Sequence, residues 1–164
     1  MKCITEFLQL FNENTLRRKS SKGIIISDTN KILLLRIQTG CHAEGVWDLP
    51  GGGIEENETP LDALKREIKE ETNLDITNIK RLDYNVNFDI PEDGVHANWI
   101  YFKANAINTN VVLNPAKWLG GQPEHSEYKW IDSIEELNKL NICDKHKKII
   151  TKILNTLTKK VNKF

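Results

Sequence analysis

A chain of 164 residues, 39% apolar and 28% charged, is sized and composed for one globular domain with a single core. Lys plus Arg and Asp plus Glu number 23 each, so no net field recruits nucleic acid or an anionic membrane, and a polyanionic substrate must be held by local donors and metal. Three scattered cysteines (Cys3, Cys41, Cys143) read as reduced thiols, no apolar run approaches the roughly 20 residues of a membrane span, and the N-terminal segment lacks a signal-peptide pattern, so the cytoplasm is the expected compartment.

In chain order, residues 1–17 form an arm in which Ile4, Leu8, Leu10 and Phe11 are spaced for a short helix, with an extended strand-like arm as the alternative. Gly23 to Ile26 and Ile32 to Ile37 are β-branched and aliphatic runs around Asp28-Thr29-Asn30, which predicts a hairpin. Gln38 to Gly45 is a polar loop, and Val46 to Leu49 a short strand entering the turn Pro50-Gly51-Gly52-Gly53. A helix over about 59–73 is followed by strands over Asp75 to Asp89 and His96 to Ala104, joined by a turn at Pro91 to Gly94. Ile107 to Pro123 is irregular. Ser126 to Ile131 is a strand, Ile134 to Leu140 a short helix, and Asp144 to Val161 a Lys-rich amphipathic helix. There are no internal repeats, and this alternation of strands and helices is mixed α/β.

The densest information lies between Gly52 and Leu74. After Gly52-Gly53-Ile54-Glu55-Glu56-Asn57-Glu58 come seven residues, then Arg66-Glu67-Ile68-Lys69-Glu70-Glu71-Thr72-Asn73-Leu74. Thr59 offers a side-chain oxygen to the orphan amides of a helix start, Pro60 lacks the donor that the first helical position would waste, and Asp62 complements the dipole in the first turn. At about 100° per residue, Leu61, Leu64, Ile68 and Thr72 share a core-facing arc. Glu67, Glu70 and Glu71 occupy the neighbouring arc, and Lys65 and Lys69 face solvent. Three adjacent carboxylates repel one another, and an exposed Arg66–Glu70 pair returns only about 0.3–0.5 kcal/mol. A divalent cation resolves that conflict, and hard oxygen donors suit Mg²⁺ or Mn²⁺ rather than Zn²⁺. A merely solvated helix face is the competing explanation; the position of the carboxylates beside the apolar arc, after a triple-glycine turn, favours a metal site.

This stretch resembles the signature of the Nudix hydrolases: Gly, five residues, Glu, seven residues, then Arg-Glu-aliphatic-any-Glu-Glu-any-Gly-aliphatic. Asn73 stands at the terminal Gly, and Asn, like Gly, accepts the left-handed conformation that ends a helix. Asn57 is a turn residue of the same kind. The match is strict over the box and loose over the flanking strands. It implies an α/β/α sandwich around a mixed, curved sheet, and Mg²⁺- or Mn²⁺-dependent hydrolysis of a pyrophosphate bond in a nucleoside diphosphate derivative or nucleoside triphosphate. It implies that Glu70 and Glu71 are the main metal ligands, that Glu67 is a third ligand or the base that activates water, that Gly51 offers a carbonyl, and that Arg66 orients the acids, with Glu58 accessory. Relatives often add an acid from a later loop, a place that Glu124 or Glu127 would fill; Glu124 is preferred because Pro123 stiffens the chain before it.

Substrate choice is less legible. Arg36 is a plausible phosphate donor, and Trp47, like Phe88, Trp99, Tyr101 and Trp118, is a candidate to stack a base, although strand aromatics are more often core. The expected partner is a small-molecule nucleotide, with no nucleic acid and no membrane, and the expected state a monomer or homodimer. A catalytically silent nucleotide sensor of the same family is the alternative, against which stands the intact set of box carboxylates.

Overall fold

The computed structural model describes residues 17–38, 45–90, 95–114, 117–118 and 122–161; the expected N-terminal arm, most of the 38–45 loop and the Pro91 to Gly94 turn lie outside them. In chain order the elements are β1 (Arg17–Ile26), β2 (Ile32–Ile37), β3 (Trp47–Asp48), α1 (Pro60–Thr72), β4 (Ile76–Ile90), β5 (Val95–Ala106), β6 (Lys117–Trp118), β7 (Gln122–Pro123), β8 (His125–Ile131), α2 (Ile134–Asn138) and α3 (Asp144–Val161). The main sheet runs β3-β2-β1-β5-β4, with β8 on the other edge of β2. β1 and β5 are parallel and the other pairs antiparallel, so the sheet is mixed and open.

Period-two alternation along the strands generates two cores. Ile24, Ile26, Ile32, Leu34 and Tyr101 face one side, where Ile149, Ile150 and Leu154 of α3 cover them. Ile25, Leu33, Leu35, Ile100 and Phe102 face the other, beneath Leu64 and Ile68 of α1. The result is the expected α/β/α sandwich. No helix among the described residues is long and apolar enough to cross a membrane.

Two departures from the sequence expectation build the site. β1 begins at Arg17, six residues before the apolar run, and pairs with β5 along its whole length. Its first half, Arg17 to Lys22, is too polar to read as a strand; Ser21 donates to Pro60 O at 2.6 Å and Lys22 is committed to Asp48 and Gly51. The expected hairpin is also barely a pairing: β1 and β2 share one register pair, Ile26↔Ile32, and then separate. The chain leaving β3 fills the gap. Gly23 N–H donates to Pro50 O at 2.8 Å, Ser21 N–H to Gly52 O at 2.9 Å, and Ile54 N–H to Lys19 O at 3.0 Å. The glycine turn is thereby fastened to the middle of the sheet.

Gly51 is required there. Its φ is +124°, and a Cβ would lie 2.1 Å from Ser21 O. Gly51→Ala is expected to cost about 2–3 kcal/mol through strain and overpacking, or roughly 4–12 °C in Tm for a chain of this size. An unchanged thermal unfolding midpoint would show that the turn relaxes freely.

α1 starts and ends as the sequence dictates. Thr59 caps it, accepting from Asp62 N–H at 3.1 Å, and Asn73 closes it in the left-handed region at φ 56°, donating its N–H to Lys69 O at 3.0 Å. Asn57, at φ 65°, likewise takes the turn conformation. One assignment on the helix wheel is corrected. Leu61 is 37% exposed whereas Ala63 is buried, since the helix rests on Gly23 of β1 through Leu64 and Ile68 rather than through Leu61.

Candidate active site

The box carboxylates are displayed at graded depths. Glu71 is buried, Glu67 lies partly covered, and Glu70 extends outward with 55% of its side chain exposed. Glu67 folds over Gly52 so closely that a Cβ there would meet its carboxylate at 2.5 Å. Glu71 reaches the preceding glycine instead: its Oε2 accepts from Gly51 N–H at 2.8 Å. Gly52 thus leaves room for an acid to approach the backbone, whereas Gly51 is required by the close passage of β1.

Arg66 organises the outer acids. Its Nε and Nη2 clamp Glu58 at 2.8 and 2.9 Å, Nη2 also donates to Gly53 O at 2.9 Å, and Nη1 donates to Glu67 at 2.8 Å and to Glu70 at 3.3 Å. Glu58, which the family pattern leaves as an accessory, is thus its main partner, a bidentate pair. The clamp pulls the Glu58 carboxyl down to about 2. The Arg66–Glu70 contact expected from helix spacing is present but secondary.

Of the two later acids, Glu124 meets the box and Glu127 does not. Glu124, Glu71 and His125 each present a ligand atom within 4.8 Å of the others. Burial and the neighbouring Glu67 push the Glu124 carboxyl up. Glu127 lies within β8 and pairs with Arg36 at 2.6 Å across β2, on the surface. That bond also commits Arg36. Trp47 packs in the core on the α3 side, where it is 9% exposed.

Four polar residues at the site were not singled out from the sequence. Lys22 is buried, and its Nζ donates to Asp48 Oδ2 at 2.8 Å and to Gly51 O at 3.1 Å. Asp48 Oδ1 meets His146 Nε2 at 2.7 Å, and His146 Nδ1 meets the Tyr101 hydroxyl at 2.9 Å. Burial acts to lower Lys22, but Asp48, Glu71 and Glu124 outweigh it and hold the ammonium charged. The fourth is His125, with 9% of its side chain exposed and Nε2 3.9 Å from Glu71 Oε1. Burial and Lys22 push the imidazole down to about 4, so it is neutral near pH 7. A signal existed for His146, which shares a helical face with Ile149 and Ile150. For Lys22 there was none, because its partner is 26 residues away.

Charge is the test of whether these groups suit a cation. Burial, reinforced by Glu124 and Glu67, pushes the Glu71 carboxyl up to about 8 against the pull of Lys22. A buried carboxylate with other carboxylates around it and one ammonium beside it is under-neutralised, and its donors are hard oxygens plus one imidazole. The set fits a divalent ion.

The comparisons with known proteins agree with this geometry. A sequence model of the NUDIX domain matches residues 17–153. The chain is 32% identical over 162 residues to an RNA pyrophosphohydrolase of Bartonella henselae, covering 88% of this chain and 92% of that protein. It is 39% identical over 70 residues to an 8-oxo-dGTP diphosphatase of Proteus vulgaris, covering 43% of this chain and 62% of that one. In structure it superposes on the MutT protein of Methanosarcina mazei Go1 with a TM-score of 0.65 at 24% identity, over 93% of this chain and all of that one. Matched along most of its length, with the box acids gathered around a glycine turn, the chain belongs to the Nudix family of pyrophosphohydrolases.

Proposed function

We propose that this domain hydrolyses the pyrophosphate bridge of a nucleoside 5′-polyphosphate with Mg²⁺ or Mn²⁺ as cofactor. The observation that carries the reading is the crowding of acids at one glycine turn: buried Glu71 held by Gly51 N–H, Glu67 closing over Gly52, and Glu124 and His125 beside Glu71. Glu71, Glu67 and Glu124, with the Gly51 carbonyl and the outward Glu70, are the groups that would hold the cation. A divalent ion there supplies positive charge for the phosphate oxygens and the leaving group and lowers the pKa of water.

The chain's own residues do the rest. A water oxygen attacks one phosphorus as the bridging P–O bond breaks, and the bridging oxygen leaves with the departing phosphate. The water proton passes to a carboxylate within reach, Glu67 or Glu124. Arg66 fixes the Glu67 carboxylate for this role through its 2.8 Å bond, and is itself held by the Glu58 clamp. Lys22 holds the Gly51 carbonyl in place and, through Asp48 and His146, ties the turn to α3.

The Bartonella henselae relative is named for RNA and the Proteus vulgaris relative for a free nucleotide. Both are nucleoside 5′-polyphosphates, which is the class proposed. The balanced net charge of this chain supplies no overall positive field for a polyanionic polymer, which favours the free nucleotide. The test is phosphate and pyrophosphate release with Mg²⁺ from a panel of nucleoside triphosphates, 8-oxo-dGTP, ADP-ribose and 5′-triphosphorylated RNA. No release from any member defeats the proposal, and release from RNA alone reverses the substrate order.

Chelation is expected to abolish hydrolysis while leaving the far-ultraviolet circular dichroism unchanged, since α1 has its own caps and apolar stripe. Added Mg²⁺ should raise Tm by mass action, by about 2.7 kcal/mol of stabilisation at 100 times Kd. Loss of the folded signal on chelation would instead make the metal structural.

A further inference from the structure

We infer that His125 is a nitrogen ligand of the divalent cation, and that it makes the site select Mn²⁺ over Mg²⁺. The inference rests on the metal site proposed above and concerns its chemistry rather than its existence. Three observations lead to it.

The first is the way the strand delivers the ring. In the β2–β8 ladder Arg36 faces Glu127, but the next residue, Ile37, faces His125, so Ser126 is an extra residue in β8. A bulge of this kind reverses the alternation and re-aims a side chain. Without it His125 would share the solvent-facing side of Glu127. With it the ring turns inward beside Glu71, and Gln38 N–H secures the strand end by donating to Glu124 O at 2.9 Å.

The second is the spacing. Nε2 of His125 lies 3.9 Å from Glu71 Oε1, too far for a hydrogen bond. Two donors that share a cation at about 2.1–2.2 Å stand roughly 3–4.3 Å apart, depending on the angle between them. The Glu71–His125 separation lies in that interval, and Glu124 contributes a third donor atom within the same 4.8 Å group.

The third is that the partners are already assigned. Glu71 Oε2 is held by Gly51 N–H, which orients Oε1 toward the ring. The ring and Glu71 are both more than nine-tenths buried in their side chains, so this is an enclosed pair rather than a solvated surface contact.

Carboxylate, carbonyl and water donors suit Mg²⁺ and Mn²⁺ alike, so an added imidazole donor is what separates the two, favouring the first-row transition ion over Mg²⁺. Pulsed electron paramagnetic resonance of the Mn²⁺-loaded protein reads the bond directly. The wild type, labelled with ¹⁵N-histidine, is expected to show ¹⁵N hyperfine coupling to Mn²⁺, and His125→Gln is expected to lose it. By calorimetry, Mn²⁺ should bind more tightly than Mg²⁺, and His125→Gln should remove most of that preference. His125→Asn serves as a second variant, and the wild-type spectrum decides the matter if neither variant folds. Absence of histidine coupling in the wild type, or an unchanged Mn²⁺/Mg²⁺ ratio in a folded variant, overturns the inference. Metal-dependent hydrolysis without histidine coupling would defeat the inference and leave the proposed function standing; coupling without hydrolysis of any polyphosphate would do the reverse.

Discussion

Glu71→Gln is expected to lower turnover by about 10²-fold or more at saturating Mg²⁺, the scale on which one electrostatic catalytic contact acts, while the protein stays folded. Gln keeps the shape and can still accept from Gly51 N–H, so the change isolates charge. Glu70→Gln is expected to match it in rate but not in stability, because Glu70 is exposed and touches Arg66 only at 3.3 Å. The stability contrast follows from linkage. Burial raises the Glu71 carboxyl to about 8 in the folded chain without metal, above its ordinary range. A folded-state pKa raised in this way contributes stability below the unfolded value, near pH 4.5, that is lost as pH rises through 8. The metal-free wild type should therefore weaken between those limits, and Glu71→Gln should flatten that slope and unfold at a higher temperature at pH 8. Rates near wild type for both variants would remove these carboxylates from the metal site. A Glu71→Gln protein as pH-sensitive as its parent would mean that the buried charge is already balanced.

The box was legible because it is local. The Thr59 cap, Pro60, the acid spacing and the left-handed Asn73 are all settled within a few residues, and the structure places each as the spacing requires. The strands Ile24 to Ile26 and Ile32 to Leu35 were legible for the same reason, as continuous apolar runs whose successive residues prove to face opposite cores. Contacts that close over long stretches of chain were not. The pairing of β1 with β5 joins residues about 80 positions apart, and a strand spelled Arg-Arg-Lys-Ser-Ser-Lys has no apolar period to reveal it. Lys22, Asp48 and His146 form a network across three elements, and of the three only His146, on the apolar face of α3, gave any local sign of burial. The burial of Trp47 and the pairing of Arg36 with Glu127 were illegible for a related reason. Burial and pairing depend on the neighbour across the sheet, which their own spacing does not encode.

The different settings of Glu124 and Glu127 also arise across the sheet, and they yield the sharper functional expectation. Glu127 is spent on Arg36 at 2.6 Å, exposed, where such a pair stabilises by only about 0–1 kcal/mol. Glu124 stands one bulge earlier, facing Glu71, with its carboxyl raised by burial. An acid so placed has two uses, holding the cation or accepting the proton of the attacking water, and both disappear in the amide. Glu124→Gln is expected to reduce kcat by about 10²-fold and to alter the acidic limb of the pH–rate profile at saturating metal. Glu127→Gln should leave kcat within about twofold and change stability by less than about 1 kcal/mol. A shifted acidic limb with metal affinity intact would favour proton transfer by Glu124; weakened metal binding with an unshifted limb would favour ligation. If Glu127→Gln lowers the rate and Glu124→Gln does not, the β8 bulge does not bring Glu124 to the reacting phosphate in the working enzyme. If neither variant matters, the box acids carry the reaction alone.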